Sequence, residues 1–328
     1  MHVLITGAAG MIGRKLTERL LSMRELGDRP ILKLTLHDVA TPDFAAPTGE
    51  TSILPVAGDI ADPVLVERLV AEKPDLVIHL AAIVSGEAEA DFDKGYRVNL
   101  DGTRLLLEAL RAAHYRPRFV FASSIAVFGA PFPEPIPDDF HSTPLTSYGT
   151  QKAIGELLVN DYSRRGILDG VSLRLPTVCV RPGKPNKAAS GFFSGIIREP
   201  LKGEEAILPV GEDVRHWHAS PRAAVQFFLT AATMDLSRLG ARRALTMPGV
   251  SVTVAEQIEA LRRVAGDKAA SLVKRAPDEA IGRIVAGWPR AFEARRARDL
   301  GFAADDSFEA IIRAHIEDEH GGRAPVMG

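Results

Sequence analysis

Val3-Leu4-Ile5-Thr6-Gly7-Ala8-Ala9-Gly10-Met11-Ile12-Gly13 is the stretch that decides how this chain is read. A short apolar run ends at a glycine, as a buried strand does, and Ile12, Leu16 and Leu20 then recur at helical spacing. A strand that turns through glycines into a helix is the signature of a dinucleotide phosphate site. Gly7 allows the tight exit from the strand, Gly10 lets the backbone approach a pyrophosphate, and Gly13 lets the helix pack close to the sheet. The helix N-terminus, with Met11 and Ile12 in its first turn, then offers N–H donors and partial positive charge to the phosphates. The spacing is G-x-x-G-x-x-G, not the commoner G-x-G-x-x-G.

Working outward, residues 31–38 alternate Leu32, Leu34 and Leu36 with polar neighbours. Further strands are predicted at 53–56, 76–80, 119–123 and 171–175, and helices at 99–113 and 148–165. Strands alternating with helices imply an α/β fold, a Rossmann-type doubly wound parallel sheet covered on both sides. Residues 1–175 are expected to form this NAD-binding domain, which also receives part of 216–247. Residues 176–328 form a smaller, discontinuous C-terminal substrate lobe. Prolines at 176, 182, 185, 200 and 209 make 176–215 read as a long functional loop. Helical signals return at 221–234, 253–265 and 307–318, and 319–328 read as a frayed end.

Bulk properties narrow the function. A chain of 328 residues, 46% apolar and 25% charged, is long enough for a large core, and its net charge of −2 gives no handle for nucleic acid or an anionic membrane. The single cysteine, Cys179, excludes an intrachain disulfide and reads as a small buried hydrophobe. No stretch approaches the ~20 apolar residues of a membrane span. The sequence opens directly on a strand, which leaves no room for a signal peptide, so a cytoplasmic location is expected.

The cofactor site continues past the glycine turn. Asp38 ends the second strand, 25 residues after Gly13, where a carboxylate can bond both adenosine ribose hydroxyls and repel a 2′-phosphate. NAD is therefore expected rather than NADP. Asp59 and Ile60 follow the third strand and can flank the adenine. Leu80, Ala81 and Ala82 end the fourth, where small residues let a cofactor lie close to the backbone. Asn99 and Pro176 complete the predicted cofactor contacts.

Chemistry comes from Tyr148-Gly149-Thr150-Gln151-Lys152, which puts a phenol and an ammonium one helical turn apart. A tyrosine with pKa ~10 needs about 4 kcal/mol to act as a base near pH 7. A neighbouring cation and hydrogen bonds to the phenolate can supply that shift. Lys152 is also placed to hold the nicotinamide ribose. The pair Ser123-Ser124, at the end of a predicted strand, can hydrogen-bond a substrate oxygen and the tyrosine. The glycine turn, the serine pair and the tyrosine–lysine pair, in this order, describe a nicotinamide-dependent oxidoreductase.

These residues resemble the extended short-chain dehydrogenase/reductase family, which includes nucleotide-sugar epimerases and dehydratases. The resemblance runs along the whole chain: Thr6 to Gly13, His79-Leu80-Ala81-Ala82, Ser123 to Gly129, Tyr148 to Lys152, and Arg174-Leu175-Pro176. It implies that Ser124 orients the substrate hydroxyl, Tyr148 accepts its proton and Lys152 lowers the pKa of Tyr148. It also implies a homodimer built on the helices beginning near Asn99 and Tyr148. Phe128 stands where the family often has tyrosine. Arg215-His216-Trp217-His218-Ala219-Ser220-Pro221-Arg222 departs from the R-D-F-x-x-V-x-D of sugar-nucleotide enzymes, which points away from a nucleotide sugar. Residues 82–93, 151–165, 174–186 and 220–224 resemble members that oxidise the C2 hydroxyl of a four-carbon sugar acid with NAD. A nucleotide-sugar epimerase or dehydratase with recycled NAD, and a non-catalytic NAD sensor, are the alternatives.

Such an acid needs a cation for its carboxylate. Arg215 is the first candidate, with Arg181, Lys184 and Arg222 behind it, while Ser85, Ser124, Thr177 and Asn186 can take hydroxyls. Arg174 reads as a brace of the sheet end. His216 and His218 share one strand face with no third ligand in sight, so no metal is expected. The acidic run Glu87, Glu89, Asp91, Asp93 reads as solvated, and Arg295-Arg296-Ala297-Arg298 as the wet face of a helix.

Overall fold

The computed structural model describes residues 1–44, 50–183 and 189–324. Seven strands build one parallel sheet: β1 (His2–Thr6), β2 (Lys33–Asp38), β3 (Ser52–Ala57), β4 (Leu76–His79), β5 (Arg118–Ser124), β6 (Asp169–Leu175) and β7 (Ala244–Thr246). Their order is β3-β2-β1-β4-β5-β6-β7, with every neighbouring pair parallel. The order reverses between β1 and β4, so a crevice opens at the carboxyl ends of those two strands. The longer helices are α1 (Met11–Met23), α2 (Pro63–Ala71), α3 (Gly102–Ala112), α4 (Ser147–Arg164), α5 (Gly191–Leu201), α6 (Pro221–Thr233), α7 (Val254–Ser271) and α8 (Phe308–His320).

The apolar strand residues divide between the two faces with the two-residue period of a strand. Val3 and Ile5 of β1, Leu34 and Leu36 of β2, and Val120 of β5 join a core with Leu16 and Leu20 of α1 and Phe227 and Phe228 of α6. Leu4, Val77, Phe119 and Phe121 point the other way, against Leu65 and Leu69 of α2 and Leu106 and Leu110 of α3. Both faces are buried, which is why these strands read as nearly continuous apolar runs.

The structure adjusts several sequence expectations. β2 begins at Lys33, and Leu32 stays 53% exposed because its N–H is taken by Met1 before the sheet register starts. The stretch 176–215 is not one loop. It contains α5 and two short strands, Thr177–Val178 and Ala206–Leu208. Phe193, Ile196, Ile197 and Leu201 recur at helical spacing there, and Pro200 falls in the last turn of α5, where the prolines had masked the period. Those side chains join a second core with Ile258 and Leu261 of α7 and Ile311 and Ile312 of α8. In this lobe Arg215–Ala219 pairs with Thr177–Val178 on one side and Val250–Thr253 on the other. Arg296 is not on a wet face, since its guanidinium reaches the carbonyls of Leu239, Arg242 and Ala244. No described helix is long and apolar enough to cross a membrane.

Candidate active site

The glycine turn sits at the crevice. Gly7 has φ +77°, and a Cβ there would stand 2.7 Å from the Ala81 nitrogen; one at Gly13 would stand 2.7 Å from Ala8 Cα. The turn is therefore drawn tight against the residues that follow β4. α1 starts on Gly10 with no side-chain cap, so its first N–H groups, those of Met11 and Ile12 included, are available to an anion. Asp38 lies beside the turn and accepts the Ala9 N–H at 2.9 Å through Oδ2. Asp59 accepts from Ala61 N and pairs with Arg97, and Ile60 is buried against Gly102. Leu80 and Ala81 are held through their N–H groups by Thr6, at 3.0 and 3.3 Å. These residues form a backbone cradle with a carboxylate at its edge, which fits a dinucleotide.

Asn99 reaches this region indirectly. Its Oδ1 accepts from Ile83 N at 2.8 Å and its Nδ2 donates to Gln151 Oε1 at 2.8 Å. Fully buried, it ties the segment after Ala82 to α4. Pro176 is buried at the end of β6.

Ser124 and Tyr148 meet where β5 ends and α4 begins. Thr146 caps α4 by accepting from Gly149 N, and Glu89 adds a second anchor by accepting from Ser147 N at 2.9 Å. Part of the acidic run therefore has a structural task. Gly149 leaves no room for a side chain against Ala126 O, which lets the first turn of α4 lie on the turn after Ser124. The Ser124 hydroxyl accepts from Ala126 N at 3.1 Å. Burial raises the Tyr148 pKa above its ordinary 10, while Arg181 and Ser124 pull it back.

Lys152 is buried, and Nζ donates to Ala122 O at 2.8 Å, 4.9 Å from the Phe121 ring and 5.7 Å from the Tyr148 ring. Burial lowers its pKa to about 8, partly opposed by Glu156.

The serine pair separates, because successive strand residues face opposite ways. Ser123 turns from the tyrosine and donates to Glu156 Oε1 at 2.5 Å. Glu156 also accepts from Arg174, at 3.0 Å to Nε and 2.8 Å to Nη2, and the guanidinium stacks 4.8 Å over Phe128. Arg174 is thus a brace, and Phe128 its packing surface. Glu156 was not singled out beforehand, although K-x-x-x-E places it one turn from Lys152 on the same helix face.

On the substrate side, Thr177 bonds His216 Nε2 at 2.7 Å, and His216 Nδ1 lies 2.9 Å from Pro289 O. A carbonyl only accepts, so Nδ1 carries the proton of the neutral ring and Nε2 accepts from Thr177. Burial holds the His216 pKa down at about 4, so the ring is neutral at physiological pH. Arg215 is committed to Ser251 O at 2.9 Å and to Glu256 at 3.1 Å. Arg222 pairs with Glu317 and Asp318. Ser85 opens a short helix, Ser85–Ala90, and is partly buried. Asn186 and Lys184 lie outside the described residues. His216 and His218 are buried, with ring centroids 5.3 Å apart, and no group of three or more metal-ligating side chains forms among the described residues. Burial pushes the Cys179 thiol up to about 12, which makes it inert.

Comparison with known proteins adds to this geometry. Residues 3–234 match the NAD dependent epimerase/dehydratase family. D-erythronate dehydrogenase of Cupriavidus necator is 49% identical over 322 residues, covering 97% of this chain and 98% of that one. D-erythronate dehydrogenase of Haemophilus influenzae is 43% identical over 317 residues, covering 97% and 99%. A crystal structure described as a nucleoside-diphosphate-sugar epimerase from Agrobacterium tumefaciens superposes with TM-score 0.96 at 61% identity, over 99% of this chain and 96% of that one. The chain belongs to the NAD dependent epimerase/dehydratase family and is an NAD-dependent oxidoreductase.

Proposed function

We propose that the protein oxidises the C2 hydroxyl of a four-carbon sugar acid, D-erythronate to 2-dehydro-D-erythronate, with Ser124, Tyr148 and Lys152 as the proton-handling set. The observation that carries this reading is the placing of Tyr148 and Lys152 on one face of α4, the ammonium 5.7 Å from the phenol ring, with Ser124 at the end of β5. The names of the two relatives above supply the substrate. Ser124 accepts a backbone N–H, so its own single proton is available to hold the reacting oxygen. Tyr148 removes the hydroxyl proton as the C2–O bond becomes a carbonyl. A bound NAD would supply the acceptor for the hydride leaving C2. Gly7, Gly10, Met11, Ile12 and Gly13 would hold its phosphates and Asp38 its adenosine ribose. Lys152 keeps a positive charge beneath the site.

Following NADH absorbance with D-erythronate, its four-carbon diastereomers and UDP-sugars tests the reading. NADH formed with a four-carbon acid supports it. Interconversion of a UDP-sugar with no net NADH would replace it with the epimerase.

Thr177 is assigned to a substrate hydroxyl as an acceptor, because its proton already belongs to His216. Thr177→Val is expected to raise KM for the acid by about 10-fold, the worth of one hydrogen bond, with Thr177→Ser restoring it. Steady-state kinetics decide; equal KM in the valine variant removes the assignment.

We also assign a homodimer to the outer face of α4, where Leu157 is 70% exposed. Light scattering should give twice the chain mass, and Leu157→Asp half of that. A monomeric wild type ends the proposal.

A further inference from the structure

Thr177 and His216 are joined by a hydrogen bond whose direction the rest of the lobe decides. The strand Thr177–Val178 runs parallel to Arg215–Ala219 with Thr177 opposite His218, and Thr177 Oγ1 stands 2.7 Å from His216 Nε2. On the other side of the ring, Nδ1 lies 2.9 Å from Pro289 O. That carbonyl is held in place, because the next two are also engaged. Arg290 O accepts from Ser251 Oγ at 2.8 Å, and Ala291 O accepts from Ile136 N at 3.0 Å. The imidazole is 3% exposed, stacked on Phe193 at 5.1 Å with an interplanar angle of 2° and packed 5.3 Å from Trp288.

In this setting the ring has one proton arrangement. Nδ1 donates to Pro289, Nε2 accepts, and the single hydroxyl proton of Thr177 goes to Nε2. What Thr177 Oγ1 has left is lone pairs, and it makes no other hydrogen bond among the described residues. Thr177 is partly open, while Pro176 and Val178 on either side are buried. Leu175 stands opposite Ser124 in the sheet register, so Thr177 follows two residues later at the same end of the sheet.

We propose that His216 is a positioning residue that makes Thr177 an acceptor-only contact, so that the site selects acids carrying a free hydroxyl, a hydrogen-bond donor, beyond C2. This rests on the hydroxy-acid reading and the Thr177 assignment above. A group of hydroxyl size that cannot donate, such as fluorine, sets acceptor against acceptor and leaves both without a partner. Without the imidazole the Thr177 hydroxyl rotates freely and can offer either its proton or its lone pairs. The selection is then lost, while the oxygen on C2 keeps its own contacts. His216 transfers no proton in this scheme; it acts through Thr177.

The test compares D-erythronate with the two analogues in which the C3 or the C4 hydroxyl is replaced by fluorine, using the full chain and saturating NAD. KM and kcat for NADH formation are read separately, because the inductive effect of fluorine on hydride loss falls on kcat. Wild type should show a KM about 10-fold higher or more for one of the two analogues. His216→Asn can still donate to Pro289 O but is too short to reach Thr177, and this KM ratio should fall close to one. His216→Gln can place an acceptor near the Nε2 position and should keep most of the ratio. Both variants should bind NAD as wild type does, which shows that they are folded. Equal ratios in the asparagine and glutamine variants would make His216 a packing residue only and overturn its role. A wild type that oxidises D-erythronate but shows the same KM for both analogues overturns the selection without any variant, and the oxidation reading stands. A wild type that makes no NADH from any four-carbon acid removes the oxidation reading and this inference with it.

Discussion

Tyr148→Phe is expected to lower kcat at least ~10³-fold with NAD affinity retained, because it removes one oxygen and leaves the ring. The phenol stands at the start of α4, 5.7 Å from the Lys152 ammonium, as the group assigned to take the substrate proton. Its pKa direction gives a second signature. The base must be deprotonated, and burial raises its pKa, so wild-type oxidation should climb with pH on the limb set by Tyr148. The phenylalanine variant has no such group, and that limb should vanish. Stopped-flow NADH formation across pH, with calorimetric NAD binding, measures both. A variant keeping a tenth of the wild-type rate would show that another group moves the proton.

Glu156→Ala should be the most damaging substitution for stability among residues that do not touch substrate. It strands Arg174, deprives Ser123 of its acceptor and removes the charge that supports Lys152. Glu156 and Arg174 side chains are 5% and 11% exposed, so water cannot replace the lost partner. Breaking such a pair from one side costs about 3–5 kcal/mol. For a chain this long that is a fall in Tm of roughly 5–8 °C. Arg174→Met should cost less, because Glu156 keeps Ser123 and the nearby Lys152. The reverse order in thermal melts would show that Arg174, not Glu156, is the hub.

The pH dependence has a definite sign. Lys152 titrates at about 8 in the folded chain against an unfolded 10.5, so between those values the unfolded state holds more protons and stability rises with pH. Below about 8 the full penalty is present. Losing Glu156 pushes the lysine lower still.

What the sequence made legible was local. The glycine turn and the Tyr148–Lys152 pair follow from spacing within one turn of chain, and the alternation of strands and helices gave the sheet. The rest depended on contacts between distant residues. Arg181 and Arg215 look alike in sequence, and only the packing of the lobe gives Arg215 a glutamate and turns Arg181 Nε to the Val178 carbonyl. Ser123 and Ser124 look like a pair until strand geometry sends them to opposite faces. Asn99 was expected among the cofactor contacts, and its side chain bonds Ile83 and Gln151, partners that only the folded chain brings to it. β7, three residues long, carries too little pattern to be read at all.

That last strand limits how the protein can be taken apart. The chain leaves the sheet after Leu175 and returns only at Pro221–Thr233 and Ala244–Thr246, supplying a covering helix and an edge. Phe227, Phe228 and Leu245 share one core with Val120 and Leu173. The nucleotide-binding half is therefore not a detachable module: cut at residue 175, it would carry an unpaired β6 edge and a bare apolar face into solution. A chimaera with another dinucleotide scaffold would have to keep residues 221–233 and 244–246 with the sheet they complete.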